Sequence, residues 1–153
     1  MLALGTGLPS FDLPQVTGGR LNSSSLDHRP VLLMVLCAHC PFVKHVEPEL
    51  KRLDNDYSDA VQLVGVSSNS LITHPQDGPE QLADQARHHG WSFPYLLDEQ
   101  QTLARALRAA CTPEFYLFSP DGEGLQSLRY RGQLDDSRPG LDDSRPGNER
   151  SAP

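Results

Sequence analysis

The residues best suited to chemistry are two cysteines separated by two other residues. Cys37 and Cys40 stand in the stretch VLCAHCPFVKHVEPEL, which follows an apolar run and leads into a helix-like pattern. Two thiols at this spacing can hold a metal ion, form a structural disulfide or exchange electrons with another sulfur.

The setting of the pair favours electron exchange. A helix start carries a partial positive charge, which stabilises a thiolate over a thiol. His39, between the cysteines, can add positive charge or a hydrogen bond, and a stabilised thiolate is also a better leaving group. Cys37 can therefore attack a substrate disulfide, and Cys40 can resolve the mixed disulfide that forms.

Two plainer interpretations compete with this one. Zinc requires four ligands, and the chain has a single Cys-X-X-Cys pair. Cys111, His39 or His45 could complete a site, but their spacing matches no zinc pattern, so we predict no metal centre. The cysteines could also be small, inert core residues.

The neighbouring patterns predict a strand, a helix and a second strand. VLLMVL (31–36) is a continuous apolar run, as in a strand covered on both faces. From Pro41 the apolar residues follow helical spacing as far as Tyr57, with Pro48 expected to kink the helix. AVQLVGVSS (60–68) is the second strand, so the two strands should be parallel with a right-handed crossover.

The rest of the chain completes an α/β pattern. The first 30 residues predict a loose arm with one hairpin, around residues 11–13 and 20–21. Helices are expected at about 79–89 and 99–110, with the short extended piece SFPYLLD between them. PEFYLFSPDGEGLQSLRYRG predicts a closing antiparallel hairpin that turns at Asp121-Gly122. The expected fold is a mixed central sheet flanked by helices.

Composition excludes several classes of protein. The chain has 153 residues and a net charge of -7, without a basic stripe, which argues against nucleic acid or anionic membrane as a partner. No signal peptide or membrane span is evident, and three cysteines are too few for a secreted disulfide scaffold. We therefore predict a cytoplasmic protein.

The end of the sequence is polar and repetitive. LDDSRPG occurs at 134–140 and again, unchanged, at 141–147. We predict one domain over residues 1–132, and a tail over 133–153 that is loop or disordered.

Four stretches taken together resemble a known family. They are the opening GLPSFDLPQVTGGRLNSSSL, the motif CAHCPFVKH, the later CTPEFYLF and the final RG…DDSRPG. This ordered set resembles the thioredoxin-like superfamily, and within it the redoxin, or peroxiredoxin-like, thioredoxin family proteins of bacteria. The resemblance implies a thioredoxin-like fold with an N-terminal redoxin-type extension.

The resemblance also implies a role for each motif position. Cys37 would be the exposed nucleophile and Cys40 the resolving thiol. Pro113 would match the family's cis-proline opposite the disulfide, and Thr112 would offer its backbone to an extended substrate. Cys111, beside them, is either an additional redox thiol or a small buried side chain.

The chain departs from the family pattern at three places. Ala38 replaces an asparagine beside the disulfide. Val31 stands where many thioredoxins carry a buried acid, so a proton acceptor for Cys40 must come from elsewhere. The chain ends in NERSAP, without the usual terminal helix; we expect that helix to be missing, with one sheet face bare or covered by a partner.

The function that follows is thiol–disulfide oxidoreduction without a bound cofactor. Its partners would be a disulfide-containing protein and an upstream thiol reductant. One alternative is a thiol peroxidase in which Cys40 attacks peroxide; we disfavour it because CTPEFYLF lacks an arginine, and Arg129 and Arg131 lie on the next strand. Another alternative is a redox-inactive binding module.

The remaining candidates receive structural interpretations. His45 is expected to be an exposed helix residue, and His89 a solvated residue at a helix end. Trp91 is not adjacent to the motif, so we assign it to packing.

Overall fold

The computed structural model describes residues 2–38, 41–68, 78–109, 113–121 and 125–132. Within these ranges the chain forms seven strands and three α-helices. They are β1 (Asp12–Pro14), β2 (Arg20–Asn22), β3 (Val31–Leu36), α1 (Pro41–Tyr57), β4 (Gln62–Ser67), α2 (Pro79–His89), β5 (Tyr95–Leu97), α3 (Thr102–Leu107), β6 (Glu114–Pro120) and β7 (Gln126–Gly132). The predicted tail at 133–153 lies outside the described residues, so the domain division stays a prediction.

A five-stranded sheet in the order β5-β4-β3-β6-β7 forms the centre of the fold. β3 pairs in parallel with β4, and β4 with β5. β6 and β7 join as an antiparallel hairpin beside β3. The predicted βαβ unit, the closing hairpin and the mixed α/β sheet are therefore confirmed.

The helices begin and end close to the predicted limits, except for the third. α2 spans Pro79–His89, as predicted, and ends at Gly90 in the left-handed conformation, with φ 67°. α3 is shorter than the predicted 99–110. It begins only at Thr102, because the chain turns first: the carbonyl of Asp98 accepts from the N–H of Gln101. It ends at Arg108, also left-handed.

The buried face of α1 differs from the one that apolar spacing predicts, which consists of Phe42, Val46, Leu50, Leu53 and Tyr57. Its buried residues are Val43, Val46, Glu47, Leu50 and Asp54, whereas Tyr57 is 52% exposed. The face is rotated because it accommodates two carboxylates that apolar periodicity does not count. Pro48 lies inside the helix, and α1 continues through it.

The N-terminal arm is attached more firmly than the sequence indicated. Besides the β1–β2 hairpin, the N–H groups of Gly5 and Leu8 donate to carbonyls on β7, and that of Val16 donates to Tyr95 on β5. β5 and β7 are opposite edges of the sheet. The arm therefore crosses one sheet face, where Phe11 is buried in the core.

The two faces of the sheet are covered by different elements. One face packs against the arm and α3, through residues such as Leu103 and Leu107. The other packs against α1 and α2 over β3, β4 and β5. Towards β6 and β7 the second face is covered less completely. Three side chains there are only half-buried: Leu32, Leu117 and Tyr130. None of the helices in the described ranges is long and apolar enough to cross a membrane.

Gly65 in β4 offers a test of core packing. A Cβ at this position would lie 3.0 Å from Phe93 Cε1 and 3.1 Å from Tyr95 Cδ1. Gly65→Ala should therefore lower the free energy of unfolding by about 1–3 kcal/mol through overpacking. Gly7→Ala is the matched control, because its new Cβ would meet only the Gln126 carbonyl at 3.9 Å. Equal denaturation midpoints for the two variants would contradict this packing.

Candidate functional site

Cys37 lies where the sequence predicted, at the junction between a central strand and a helix. It directly follows Leu36, the last residue of β3, and α1 begins at Pro41. Because β3, β4 and β5 are parallel, their carboxyl ends form one edge of the sheet. This is the edge at which ligands bind in open α/β sheets. His39 and Cys40 lie outside the described residues.

The predicted exposure of Cys37 is wrong for this structure. Its side chain has 0% relative exposure and belongs to the apolar cluster beneath α1 and α2. The physical reason is that β3 is covered on both faces, and this burial extends one residue beyond the strand. The role of Cys37 as a nucleophile stays a prediction.

Pro113 lies beside the same strand end. The last pair recorded between β3 and β6 is Val35 with Glu114. Pro113 is therefore one step further on, at the level of Leu36, and it is buried. The substrate-binding role of Pro113 stays a prediction, and Thr112 and Cys111 lie outside the described residues.

A buried polar network joins the carbonyl of Cys37 to α1, α2 and β5. The Gln85 Nε2 atom donates to the Cys37 carbonyl oxygen at 3.0 Å and to Glu47 Oε2 at 2.6 Å. The Tyr95 hydroxyl donates to Gln85 Oε1 at 2.8 Å. Both neighbours of the amide nitrogen are acceptors and the neighbour of the amide oxygen is a donor, so a single amide orientation satisfies all three bonds.

His89 forms the outer end of this network. Its Nε2 atom lies 2.9 Å from Glu47 Oε1, and its ring stacks on Trp91 with centroids 5.3 Å apart. His89 is at a helix end, as predicted, but the prediction that it is solvated is wrong, because its side chain is only 21% exposed. The reason is that Glu47 is buried on α1 and draws the last turn of α2 towards it. Trp91 packs in the core as predicted, and His45 is exposed as predicted.

Sequence reasoning missed Glu47 and Gln85. Both are polar residues on helices, where exposure is the usual expectation. Glu47 directly follows Val46, but it lies roughly 100° around the helix from it and outside the predicted apolar face, so helical spacing does not indicate its burial. Nothing in the local pattern indicates its partner.

An open groove runs beside this network, between α1 and α2. It has a volume of about 670 Å³ and begins at Ala38, next to Cys37. Its lining includes the charged or polar residues Lys44, Glu47, Asp84 and His88. A second cavity, of about 520 Å³, lies between β1 and the start of α3 and is not lined by Cys37 or Pro113.

Other buried polar groups lie at the same sheet edge. Asp98 is 1% exposed and accepts hydrogen bonds from the Ser68 hydroxyl and from the backbone N–H of Ala104, both at 2.9 Å. It thereby fixes the first turn of α3 to the end of β4. Ser67, which pairs with Leu36, is fully buried, and its hydroxyl has no hydrogen-bond partner among the residues that the structure describes.

The described residues contain no group of three or more His, Cys, Asp or Glu side chains arranged to hold a metal ion. Three of the residues considered above for zinc, His39, Cys40 and Cys111, lie outside the described ranges.

Comparison with known proteins identifies the family. The AhpC/TSA family matches residues 4–124. The chain belongs to the AhpC/TSA family. A conserved uncharacterised protein of Geobacillus kaustophilus is 43% identical, with a TM-score of 0.86 over 96% of this chain and 77% of that one. A hypothetical protein of Sinorhizobium meliloti 1021 is 31% identical, with a TM-score of 0.86 over 96% and 78% of the two chains.

The thioredoxin-like fold of this AhpC/TSA family member is also confirmed. A thiol-disulfide oxidoreductase of Bacteroides fragilis is similar in structure, with a TM-score of 0.67 at 20% identity over 82% of this chain and 89% of that one. No curated protein matches the chain. The redoxin resemblance predicted from the sequence is confirmed at the level of family and fold, and a redox activity is supported in general terms.

The unpartnered Ser67 hydroxyl in this AhpC/TSA protein leads to a prediction. Ser67→Ala removes a buried group that makes no hydrogen bond, so the free energy of unfolding should stay equal or rise by up to about 1 kcal/mol. Ser92→Ala is the control, because the Ser92 hydroxyl donates to Asp54 at 2.8 Å and its loss should cost about 1–3 kcal/mol. Urea denaturation of both variants measures this. A destabilised Ser67→Ala protein would show that the hydroxyl has a partner in solution.

Proposed function

We propose that this AhpC/TSA protein is a thiol–disulfide oxidoreductase in which Cys37 attacks and Cys40 resolves. The observation that carries the proposal is the position of Cys37. It follows the central strand at the carboxyl edge of the sheet, precedes the 17-residue helix α1 and lies beside Pro113. The family supports the same redox chemistry, as do structural neighbours described as thiol-disulfide oxidoreductases.

The proposed reaction transfers two electrons to the substrate. The Cys37 thiolate attacks one sulfur of a substrate disulfide, and the other sulfur leaves as a thiolate that takes up a proton. The Cys40 thiolate then attacks Cys37 Sγ, which forms the Cys37–Cys40 disulfide and releases the second substrate thiol. An upstream dithiol restores the reduced pair and is itself oxidised to a disulfide.

The residues around the pair take the supporting roles in the proposal. The N-terminus of α1 and His39 favour the thiolate form, by partial positive charge and by hydrogen bonding. Thr112 and Pro113 offer backbone to an extended disulfide-bearing peptide. Cys111, beside them in sequence, is proposed as an accessory thiol. We further infer a reducing cytoplasm as the compartment, because the cysteine count is low.

The burial of Cys37 adds one requirement to the proposal. Its side chain has 0% relative exposure, so a protein disulfide cannot reach it in this conformation. The segment after β3 must open before the first attack. This opening breaks the apolar packing of the thiol and the hydrogen bond from Gln85 to the Cys37 carbonyl.

Reduction of insulin by dithiothreitol tests the proposal. The wild-type protein should accelerate insulin precipitation, and Cys37→Ser should reduce the catalysed rate at least about 100-fold, because the thiol that makes the first attack is lost. Cys40→Ser should instead trap a mixed disulfide that non-reducing electrophoresis detects. A Cys37→Ser protein that is folded by circular dichroism and keeps the wild-type rate would refute this assignment.

A second candidate is peroxide reduction by Cys40, which the AhpC/TSA match favours. Arg131 pairs with Tyr116, which in turn pairs with Leu33, four residues before Cys37. The backbone of Arg131 therefore lies about 13 Å from the level of Cys37, measured along the direction of β3. Hydrogen peroxide consumption that survives Cys37→Ala but is lost in Cys40→Ser would favour the peroxidase over the exchanger.

A further inference from the structure

We infer that Gln85 is a positioning residue for Cys37. Gln85 binds the Cys37 main-chain carbonyl and thereby limits how often the thiol becomes accessible. The functional meaning of this inference rests on the proposed thiol–disulfide exchange. The positioning itself can be measured without that activity.

Hydrogen bonds hold the side-chain amide of Gln85 in one orientation. It is 8% exposed, and both of its amide atoms are hydrogen-bonded. Glu47 accepts one hydrogen of the amide nitrogen, and Tyr95 donates to the amide oxygen. These two bonds fix the amide plane so that the other hydrogen points at the Cys37 carbonyl. The supporting residues are themselves buried, Glu47 at 7% and Tyr95 at 2% exposure.

Packing alone does not require a glutamine here. Its neighbours on the buried face of α2 are Leu82, Ala83 and Ala86, and a leucine would fit that pattern. Burying an amide and a carboxylate costs free energy unless every bond is made. The network therefore orients the Cys37 carbonyl by a hydrogen bond, which an apolar side chain cannot form.

This carbonyl belongs to Cys37, the residue that must become accessible before the first attack. Leu36 ends the β3 ladder, where it pairs with Ser67. The next carbonyl, that of Cys37, is held by a side chain 48 residues further along the chain. Exposure of Cys37 requires this hydrogen bond to break, so its strength is one contribution to the fraction of molecules in which Cys37 is accessible.

Alkylation of the reduced protein by iodoacetamide tests the inference. Fragment-ion mass spectrometry separates labelling at Cys37 from labelling at Cys40. Gln85→Leu should raise the labelling rate of Cys37 about three- to tenfold, because the closed form loses a bond that water replaces only in the open form. An unchanged Cys37 rate in a folded Gln85→Leu protein would overturn the inference.

A milder variant keeps the test decisive if Gln85→Leu does not fold. Tyr95→Phe retains the ring and removes only the hydroxyl that orients the Gln85 amide, so it should raise the labelling rate about two- to threefold. Asp54→Ala is the control. It removes another buried carboxylate of α1, whose bonds to Ser92 lie far along the helix from the motif. Its Cys37 rate should stay within about twofold of wild type at matched stability. A Tyr95→Phe rate equal to wild type, or an Asp54→Ala rate as high as that of Gln85→Leu, would refute the positioning role.

Insulin reduction by the same variants separates the two proposals. If the wild type does not reduce insulin but Gln85→Leu still speeds labelling, the proposed function fails and the positioning role stands. If insulin reduction depends on Cys37 but Gln85→Leu labels at the wild-type rate, the positioning role fails and the proposed function stands.

Discussion

The central position of β3 governs where every candidate group lies. β3 bonds β4 on one side and β6 on the other, and its residues Val31, Leu33, Met34 and Leu36 are fully buried. A slip of one residue would turn each of these side chains to the opposite face, so the register is strongly specified. The same register places Cys37 after the strand, the orphan hydroxyl of Ser67 beside its last residue, and buried Pro113 at the level of Leu36. Strand pairing therefore determines where the site lies, and the motif determines what chemistry it can carry out.

Three buried carboxylates in the core hold different parts of the chain in place. Asp54 holds the turn at Ser92, Asp98 holds the start of α3, and Glu47 holds Gln85 against the Cys37 carbonyl. Each carboxylate is buried and each accepts at least two hydrogen bonds or close polar contacts, as burial of such a group demands. The first two fix connections between elements. Of these three carboxylates, Glu47 has the network that reaches the candidate nucleophile, so it can influence reactivity as well as structure.

The sequence predicted most of the fold and little of the network. VLLMVL, Pro41 and the Pro79–His89 segment carry strong local signals, and their elements were placed correctly. The errors share a physical cause, which is a contact between residues distant in the chain. His89 is drawn inward by Glu47, 42 residues earlier, and Gln85 is held by a carbonyl 48 residues earlier. Local patterns do not contain such pairs, and the usual exposure of charged side chains argues against them. The crossing of the sheet by the N-terminal arm was missed for the same reason, because its bonds to β7 span the whole chain.

The burial of Cys37 is compatible with the chemistry proposed for it because Cys37 lies outside the hydrogen-bonded ladder of β3. A strand residue is fixed by ladder bonds on both sides, and releasing it would disrupt the sheet. Cys37 lies one residue beyond the ladder, and a side chain from α2 holds its carbonyl. That bond contributes about 0.5–1.5 kcal/mol to the closed form, in addition to the apolar packing of the thiol. The strand can therefore remain rigid while the residue after it opens. A thiol placed one residue earlier, at Leu36, would be held within the β3 ladder itself.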